Sequence, residues 1–277
     1  MPLRLGGNIT NIPYATKTPR QQDSPGIQIL IEISYICRYN SARCMNYLYD
    51  LWDDFISLLF PRVCYACGNH LLRNENLICT ACYVTIPRTN YHFQPENPVA
   101  QLFWGRCLVE KAAAFSFYSK GSRIRNLIHK LKYAGIKEIG YELGRIYAVT
   151  LKSSGFTEGI DMIIPVPLHP SKKRIRGFNQ SEYISSGISD VTELPVNEDS
   201  LVRIVLSATQ TNRSRYDRWT NVEGIFRVNS AEAIRGKHIL LVDDVITTGS
   251  TIESCVNELL KVEGVKVSVI AIGYSVV

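Results

Sequence analysis

The stretch that decides the fold is residues 239–251, which read ILLVDDVITTGST. In it an apolar run meets two adjacent carboxylates, Asp243 and Asp244, and a loop of threonine, glycine and serine follows. A continuous apolar run is typical of a buried parallel strand. We therefore expect the two carboxylates at the carboxyl end of this strand, where open α/β sheets bind their ligands.

The loop after the carboxylates, residues 247–251, is suited to holding a phosphate group. Its backbone N–H groups can surround an anion, and the positive end of the following helix adds to the attraction. Ser250 and Glu253 have the spacing of a capping box, which predicts that the helix begins there. A carboxylate pair beside a phosphate cradle suits a sugar phosphate, because the carboxylates accept hydrogen bonds from hydroxyls.

Three other interpretations of this stretch compete with a sugar-phosphate site. A response-regulator receiver domain also places an acidic pair after its first strand, but several strand–helix units then follow, whereas one helix and one strand follow here. A Walker nucleotide site needs the pattern GxxxxGK followed by Ser or Thr, which is absent. A solvated Asp pair that merely ends a strand stays open for a motif this short.

The stretch resembles the 5-phosphoribosyl diphosphate (PRPP) motif of type I phosphoribosyltransferases. The resemblance implies that Asp243 and Asp244 hold the 2′ and 3′ hydroxyls of the ribose and are the catalytic carboxylates. It also implies which residues hold the 5′-phosphate: Thr247, Thr248, Gly249, Ser250 and Thr251. The motif says little about the acceptor.

The composition sets the limits for the rest of the chain. With 277 residues, 45% of them hydrophobic, the chain can hold one large or two modest domains with a sizeable core. No apolar stretch approaches the ~20 residues of a membrane span, and no signal-peptide pattern is present, so we expect a cytoplasmic protein. The net charge of +6 is compatible with nucleic acid or phosphorylated ligands without requiring either.

Four of the eight cysteines form two Cys-x-x-Cys pairs, Cys64 with Cys67 and Cys79 with Cys82. Two such pairs about a dozen residues apart suit one tetrahedral Zn²⁺ held by four thiolates, and Gly68 lets the backbone turn after the first pair. In a cytosolic protein this pattern favours metal over disulfides. A site closed by four thiolates leaves no position for a substrate, so structural zinc is predicted; redox thiols or chance spacing are the alternatives.

The chain is predicted to have three parts. Residues 1–44 are interpreted as an extension, either disordered or not native, with Met45 as the natural start. Residues 45–100 are predicted to form a helix and a zinc-ribbon domain. Residues 101–277 are predicted to form a parallel α/β sheet flanked by helices, with strands near residues 112–118, 161–167 and 265–272.

A basic segment follows the second predicted strand. In residues 165–180, which read PVPLHPSKKRIRGFNQ, the positive charges lie in a predicted loop: Lys172, Lys173, Arg174 and Arg176. An enzyme that displaces pyrophosphate needs donors at its oxygens, and the fork of an arginine suits phosphate. By itself, such a segment is usually an ordinary solvated loop. However, the strand at 161–167 precedes this segment and the strand at 239–242 precedes the acidic pair, and we expect both strands to end at the same edge of the sheet. The basic segment is therefore expected near the acidic pair.

A third polar cluster, residues 210–222, contains three arginines: Arg213, Arg215 and Arg218. It is either a flap that closes over a diphosphate or a surface loop with Trp219 beneath it, and the sequence does not decide between these.

Together the motifs resemble the ComF competence-protein family, in which a zinc ribbon precedes a phosphoribosyltransferase domain. The resemblance covers about residues 45–277. It rests on LFPxxCxxCG at 59–68, LKY at 131–133, PVP at 165–167, RxRGFNQ at 174–180, RxxNV at 218–222 and the acidic motif. It implies PRPP binding with Mg²⁺, and an association with DNA uptake in natural competence alongside a helicase and a recombination mediator.

Two further hypotheses for the function stay open at this point. The same fold can serve as a non-catalytic module that binds single-stranded DNA or a partner protein, with the basic residues on phosphates and the tyrosines and Trp219 stacked on bases. The chain can also be a purely structural partner that docks through its ribbon.

Overall fold

A parallel sheet of four strands organises the part of the chain that the computed structural model describes, residues 61–204 and 225–275. Its strands are, in spatial order, β1 (Ala112–Phe117), β6 (Lys266–Tyr274), β5 (His238–Ile246) and β2 (Met162–Pro165). All three pairings between neighbours are parallel. The predicted fold class, a parallel sheet flanked by helices, is therefore confirmed.

Two hydrophobic cores lie on the two faces of this sheet. Successive residues of a strand point to opposite faces, so Leu240 packs in the first core and Leu241 in the second. The first core is covered by helices α3 (Arg123–His129), α4 (Lys137–Ser153) and α6 (Gln180–Thr192). The second is covered by α2 (Pro98–Gln101) and α7 (Ser250–Leu259). Burial on both faces explains why the strands are apolar runs rather than alternating patterns.

The remaining elements connect this framework. They are α1 (Thr80–Thr85), a 3₁₀ turn (Tyr91–Phe93), a π-helical turn (Lys130–Ala134), α5 (Pro170–Arg176) and the antiparallel strands β3 (Leu201–Arg203) and β4 (Phe226–Val228). In the described ranges, no helix has the length and hydropathy needed to cross a bilayer. Residues 1–60 and the arginines of the predicted flap lie outside the described residues.

The cysteine ribbon shares the first core with the sheet. Cys64 and Cys82, each 1% exposed, belong to the same buried cluster as Ile124 of α3. The side-chain amide of Asn126 also donates to the carbonyl of Ala66 across this contact, at 3.0 Å. The ribbon is therefore packed against α3, and the domain boundaries predicted at residues 44 and 100 stay predictions.

Helices α4 and α6 approach each other through two glycines. A Cβ added to Gly187 would lie 2.0 Å from the carbonyl oxygen of Tyr141, and one added to Gly144 would lie 2.2 Å from the carbonyl oxygen of Ile184. Real atoms do not approach so closely, so the absence of a side chain sets the distance between the helices. This contact matters for the site described below, because α6 begins beside the acidic pair.

We expect Gly187→Ala to lower the free energy of unfolding by about 1–3 kcal/mol, because the added methyl group meets backbone rather than a movable side chain. Urea denaturation followed by circular dichroism measures this. Ser186→Ala, at an exposed neighbouring position of the same helix, is the matched control. Equal stability of the two variants would contradict the close packing of α4 and α6.

Candidate functional site

The acidic pair lies within the second half of β5 rather than beyond its end. β5 continues to Ile246, and Asp243 is paired in register with Ala271 of β6. On the other side β2 ends at Pro165, opposite Val242. The prediction that the carboxylates terminate the strand is therefore wrong in detail, but both follow the end of the neighbouring strand, so they lie at the carboxyl edge of the sheet.

The Asp243 carboxylate is held by local donors. Its Oδ1 accepts from the backbone N–H of Asp244 at 2.8 Å and from the Ser181 hydroxyl, on the first turn of α6, at 3.4 Å. Burial and then the neighbouring Asp244 carboxylate raise the pKa of Asp243 to about 7, against the opposing effects of these donors and of Lys132. The free protein therefore takes up a proton at this pair close to neutral pH.

This pKa leads to a prediction for Asp243→Asn. The folded protein binds the Asp243 proton more tightly than the unfolded chain does, so the carboxyl lowers stability progressively as the pH rises from its ordinary pKa to about 7. Asparagine does not titrate, so the variant does not lose stability in this way. We expect the difference in unfolding free energy between the variant and the unaltered protein to be roughly 2–3 kcal/mol larger at pH 8 than at pH 5. Urea denaturation at both pH values measures this difference. Asp199→Asn, at an exposed position, is expected to show no such dependence.

The Asp244 carboxylate pairs instead with Lys132. The Nζ of Lys132 lies 2.7 Å from Oδ1 of Asp244, and the two side chains are 21% and 12% exposed. Lys132 belongs to the π-helical turn after α3, which Gly135 ends. No local pattern in the sequence predicts a role for Lys132, apart from its place in the LKY motif of the family resemblance.

The predicted phosphate loop joins β5 to α7. Ser250 is the first residue of α7 and Gly249 is its N-cap, in the left-handed conformation with φ of 76°. The predicted capping box between Ser250 and Glu253 is therefore wrong, since no side chain caps this helix. The first N–H groups of a helix have no acceptor within it, and here a short loop separates them from the strand that bears the acidic pair. The hydroxyls of Thr248 and Ser250 lie 3.1 Å apart beside them.

Arg106 fixes this loop from outside the predicted motifs. Its guanidinium donates to the carbonyl oxygen of Thr248 at 2.8 Å and pairs with the Glu253 carboxylate. Glu253 is thus engaged by an arginine from the segment after α2 rather than by the helix end. The sequence carried no indication of this role, because Arg106 and Thr248 are 142 residues apart in the chain.

The basic segment forms a helix where a loop was predicted. The Nδ1 of His169 accepts from the backbone N–H of Ser171 at 3.2 Å, and Pro170 takes the first helical position, which suits a residue without an N–H. The α5 helix then ends at Gly177. The residues that start and stop this helix are present in the sequence, but the density of positive charge favours a loop, so the prediction was wrong.

The four basic side chains of α5 have different surroundings. Lys173 pairs with Glu182 at 2.7 Å, and Arg176 donates to the Oε1 of Gln180 at 2.7 Å. Arg174 is exposed. Lys172 and Arg176 line a cavity of about 510 Å³.

This cavity lies between α5 and the π-helical turn that carries Lys132. Its lining is Lys132, Tyr133, Ala134, Gly135, Lys172, Ile175 and Arg176. Lys132 thus faces the cavity and also contacts Asp244. Three cationic side chains around one opening favour a ligand with several negative charges.

The four cysteines of the two Cys-x-x-Cys pairs converge. The sulfur atoms of Cys64, Cys67, Cys79 and Cys82 all lie within 4.8 Å of one another, and those of Cys67 and Cys79 are 3.8 Å apart. Four sulfurs at ~2.3 Å from a tetrahedral ion are separated by about 3.8 Å. The residues therefore fit a single metal ion with four sulfur ligands.

The surroundings of one sulfur, that of Cys64, also favour a thiolate, whereas burial raises the pKa of the Cys82 thiol. The backbone N–H of Cys79 points to the sulfur of Cys64 at 3.3 Å, and that of Cys82 points to the sulfur of Cys79 at 3.4 Å. Burial by itself raises the pKa of the Cys64 thiol, but backbone N–H groups, that of Cys79 foremost, bring it down to about 7. A thiolate ligand is thus available at neutral pH.

Comparison with known proteins identifies the larger part of the chain. A model of the phosphoribosyl transferase domain matches residues 163–274, which run from β2 to β6. DNA utilization protein YhgH of Escherichia coli O157:H7 is 29% identical over 216 residues, covering 74% of this chain and 93% of that protein. Competence protein F of Haemophilus influenzae is 28% identical over 212 residues, covering 73% and 92%.

One of the similar solved structures is described as the allosteric regulatory enzyme of purine biosynthesis. It matches 47% of this chain and 26% of its own, at 19% identity and a TM-score of 0.35.

The chain therefore carries a phosphoribosyl transferase domain, whose central strand β5 bears the acidic pair. Its homologues are the YhgH proteins and competence protein F, at 28–29% identity over 73–74% of the chain, and competence protein ComFC of Bacillus subtilis, at 25% identity over 72%. The resemblance to the ComF competence-protein family is thus confirmed.

Proposed function

We propose that the carboxyl edge of the sheet binds PRPP together with Mg²⁺. The observation that carries this proposal is the order of groups along that edge. The phosphate loop before α7 follows the acidic pair, and the basic cavity adjoins the pair through Lys132. These three parts match the 5′-phosphate, the ribose hydroxyls and the pyrophosphate of one molecule.

The roles of the residues follow from their charge. Asp243 and Asp244 accept hydrogen bonds from the ribose hydroxyls, and residues 247–251 hold the 5′-phosphate through backbone N–H groups and hydroxyls. Lys172 and Arg176 bind pyrophosphate oxygens in the cavity. Lys173 and Arg174 of the same helix remain proposed pyrophosphate-binding residues. The role of the flap arginines stays a proposal from the sequence, since they lie outside the described residues. Mg²⁺, when bound with the ligand, would supply neutralisation of the pyrophosphate charge, with few protein ligands of its own.

As a transferase, the site would favour loss of pyrophosphate from C1 of the ribose. Positive charge then develops on the sugar ring, and a fixed carboxylate close to the ring stabilises it. Asp243 and Asp244 are the carboxylates available for this, and the cations of the cavity stabilise the leaving group.

The four cysteines are proposed to hold a structural Zn²⁺. The ion would have no open coordination position, so it would supply folding energy rather than chemistry. In the cell we propose a cytoplasmic role in DNA uptake, which rests on the names of the relatives, competence protein F and DNA utilization protein YhgH. The family resemblance adds a competence helicase and a recombination mediator as proposed partners.

A thermal-shift series tests the PRPP proposal in its parts. With Mg²⁺ present, PRPP should raise the melting temperature more than ribose 5-phosphate or pyrophosphate alone, because it occupies the acidic pair, the loop and the cavity together. Inosine, a nucleoside without phosphate, is the negative control. A melting temperature that responds equally to all four compounds would count against a PRPP site.

Arg106→Met tests the phosphate loop separately. The variant loses the donor that fixes the Thr248 carbonyl, so we expect about tenfold weaker binding of ribose 5-phosphate, with a loss of stability of about 1 kcal/mol or less. Arg235→Met, which breaks an exposed ion pair with Glu232, is the matched control. Calorimetric titration with ribose 5-phosphate measures the effect. Unchanged affinity for ribose 5-phosphate would contradict a role of Arg106 in the phosphate site.

A second candidate function is binding of single-stranded DNA at the same cavity. The observation in its favour is the exposed ring of Tyr133, 69% accessible, beside the guanidinium of Arg176 at 5.6 Å. Such a pair suits a nucleobase stacked next to a phosphate. Binding of a labelled oligonucleotide should weaken steeply as the salt concentration rises and should weaken again in Tyr133→Ala. If the affinity changed neither with the salt concentration nor in Tyr133→Ala, this cavity would be excluded as the DNA-binding site.

A further inference from the structure

Lys132 connects the two halves of the site. Its Nζ lies 2.7 Å from Asp244, and its side chain also lines the cavity that Lys172 and Arg176 share. It reaches this position from a π-helical turn between α3 and α4. Such turns insert one extra residue into a helix and occur frequently at functional sites.

The two carboxylates of the acidic pair are held in different ways. Asp243 has donors from its own strand and from α6, the backbone N–H of Asp244 and the hydroxyl of Ser181. The carboxylate of Asp244 accepts from Lys132, a donor on a side chain that can move. Four methylene groups allow the ammonium to turn between neighbouring acceptors, whereas a backbone N–H cannot. Asp244 is therefore the carboxylate whose partner can be exchanged.

The ammonium of Lys132 also has spare capacity. It carries three N–H donors, and among the described residues one hydrogen bond, to Asp244, uses them. The cavity beside it holds the cations Lys172 and Arg176. An anionic group that enters the cavity is therefore within reach of Lys132 and attracts it away from Asp244.

We propose that Lys132 is a pyrophosphate-binding residue that holds Asp244 while the site is empty and moves to the pyrophosphate when PRPP binds. When the Lys132 ammonium binds the pyrophosphate, Asp244 becomes free to accept a hydrogen bond from a ribose hydroxyl. The inference rests on the proposed PRPP site and adds a residue and an order of events to it. Lys132 in this role positions Asp244 in the free protein and contacts the ligand in the complex.

The proposal has opposite consequences for two ligands. Ribose 5-phosphate has the hydroxyls and the 5′-phosphate but no pyrophosphate. It must therefore compete with Lys132 for Asp244, and it forms no new contact with the displaced lysine. PRPP offers Lys132 a new partner. Removal of the lysine should therefore harm PRPP binding and spare ribose 5-phosphate binding.

The experiment is calorimetric titration of the full chain and its Lys132→Met variant with both ligands, in the presence of Mg²⁺. We expect PRPP to bind about tenfold more weakly or worse, the usual loss for one charge-assisted hydrogen bond, and ribose 5-phosphate to bind as tightly as before or more tightly. Lys120→Met, at an exposed position away from the cavity, should bind both ligands as the unaltered chain does. Equal weakening of the two ligands, or unchanged PRPP affinity, would overturn the proposal.

A second comparison covers the case in which Lys132→Met does not fold. Asp244→Asn releases Lys132, whereas Asp243→Asn removes a neighbouring carboxylate that Lys132 does not contact. At pH 8 we expect pyrophosphate without Mg²⁺ to bind several-fold more tightly to the first variant than to the second, because a freed ammonium adds a full charge-assisted bond. Equal affinities would overturn the exchange of Lys132. If the unaltered chain binds neither PRPP nor ribose 5-phosphate, the proposed function itself fails and this inference fails with it.

Discussion

Replacing Asp243 and Asp244 together by asparagine should abolish the binding of PRPP while the fold remains intact. Each carboxylate would accept a hydrogen bond from a ribose hydroxyl, and bonds to a charged acceptor contribute about 1.5–3 kcal/mol each. The loss of two such bonds corresponds to an affinity at least about a hundredfold weaker. The fold should tolerate the change, because asparagine has the same size and removes the burial cost that raises the pKa of Asp243.

The double variant is measured by calorimetry with PRPP and Mg²⁺, and its fold by circular dichroism and melting temperature. Asp190→Asn, which removes an exposed carboxylate from α6, is the control for loss of negative charge. Undiminished PRPP affinity in a folded double variant would show that the ligand site lies elsewhere.

The second large effect is expected from Cys82→Ser. Cys82 is 1% exposed, is one of the four converging cysteines and belongs to the first hydrophobic core. Loss of one thiolate weakens metal binding, and for small metal sites the binding free energy is folding free energy. We expect loss of the bound metal and a fall in the free energy of unfolding of about 3–5 kcal/mol or more, because the ribbon contacts α3 through the same core.

Metal content by mass spectrometry and urea denaturation measure this effect together. Cys107→Ser is the matched control, because Cys107 is half-buried and outside the cysteine cluster. Treatment of the unaltered protein with a chelator should reproduce the loss of stability. A Cys82→Ser variant that kept both its metal and its stability would contradict a structural metal site.

The features that sequence reasoning found are those encoded by neighbouring residues. The apolar run before Asp243 predicts a strand because a strand buried on both faces needs continuous hydrophobicity. The two Cys-x-x-Cys pairs predict a cluster because each pair already places two sulfurs together, and the structure brings all four within 4.8 Å. The loop from Thr247 onward could likewise be assigned from its residues and its place after the strand.

The features that could not be predicted from the sequence depend on contacts between distant segments. Lys132 meets Asp244 across 112 residues of chain, and Arg106 meets Thr248 across 142. Neither lysine nor arginine stands out on an otherwise basic surface, so local pattern cannot select them. The capping prediction failed for the same reason, since Glu253 has a better partner in Arg106 than the helix end offers.

The α5 helix shows a different kind of error. Its start at His169 and Pro170 and its end at Gly177 were visible in the sequence, but four positive charges in five residues were given more weight. The helix matters for the proposed site because it places Lys172 and Arg176 at the cavity and Lys173 beside Glu182. A loop with the same residues would not have separated these side chains in this way.

The measurement that tests the central claim most directly is calorimetric titration of the full, metal-loaded chain with PRPP, with and without Mg²⁺. The account predicts one binding site per chain and an affinity that depends on Mg²⁺, because pyrophosphate brings several negative charges beside Asp243 and Asp244. Absence of binding in a folded sample, in the presence of Mg²⁺, would contradict the assignment of this sheet edge to PRPP.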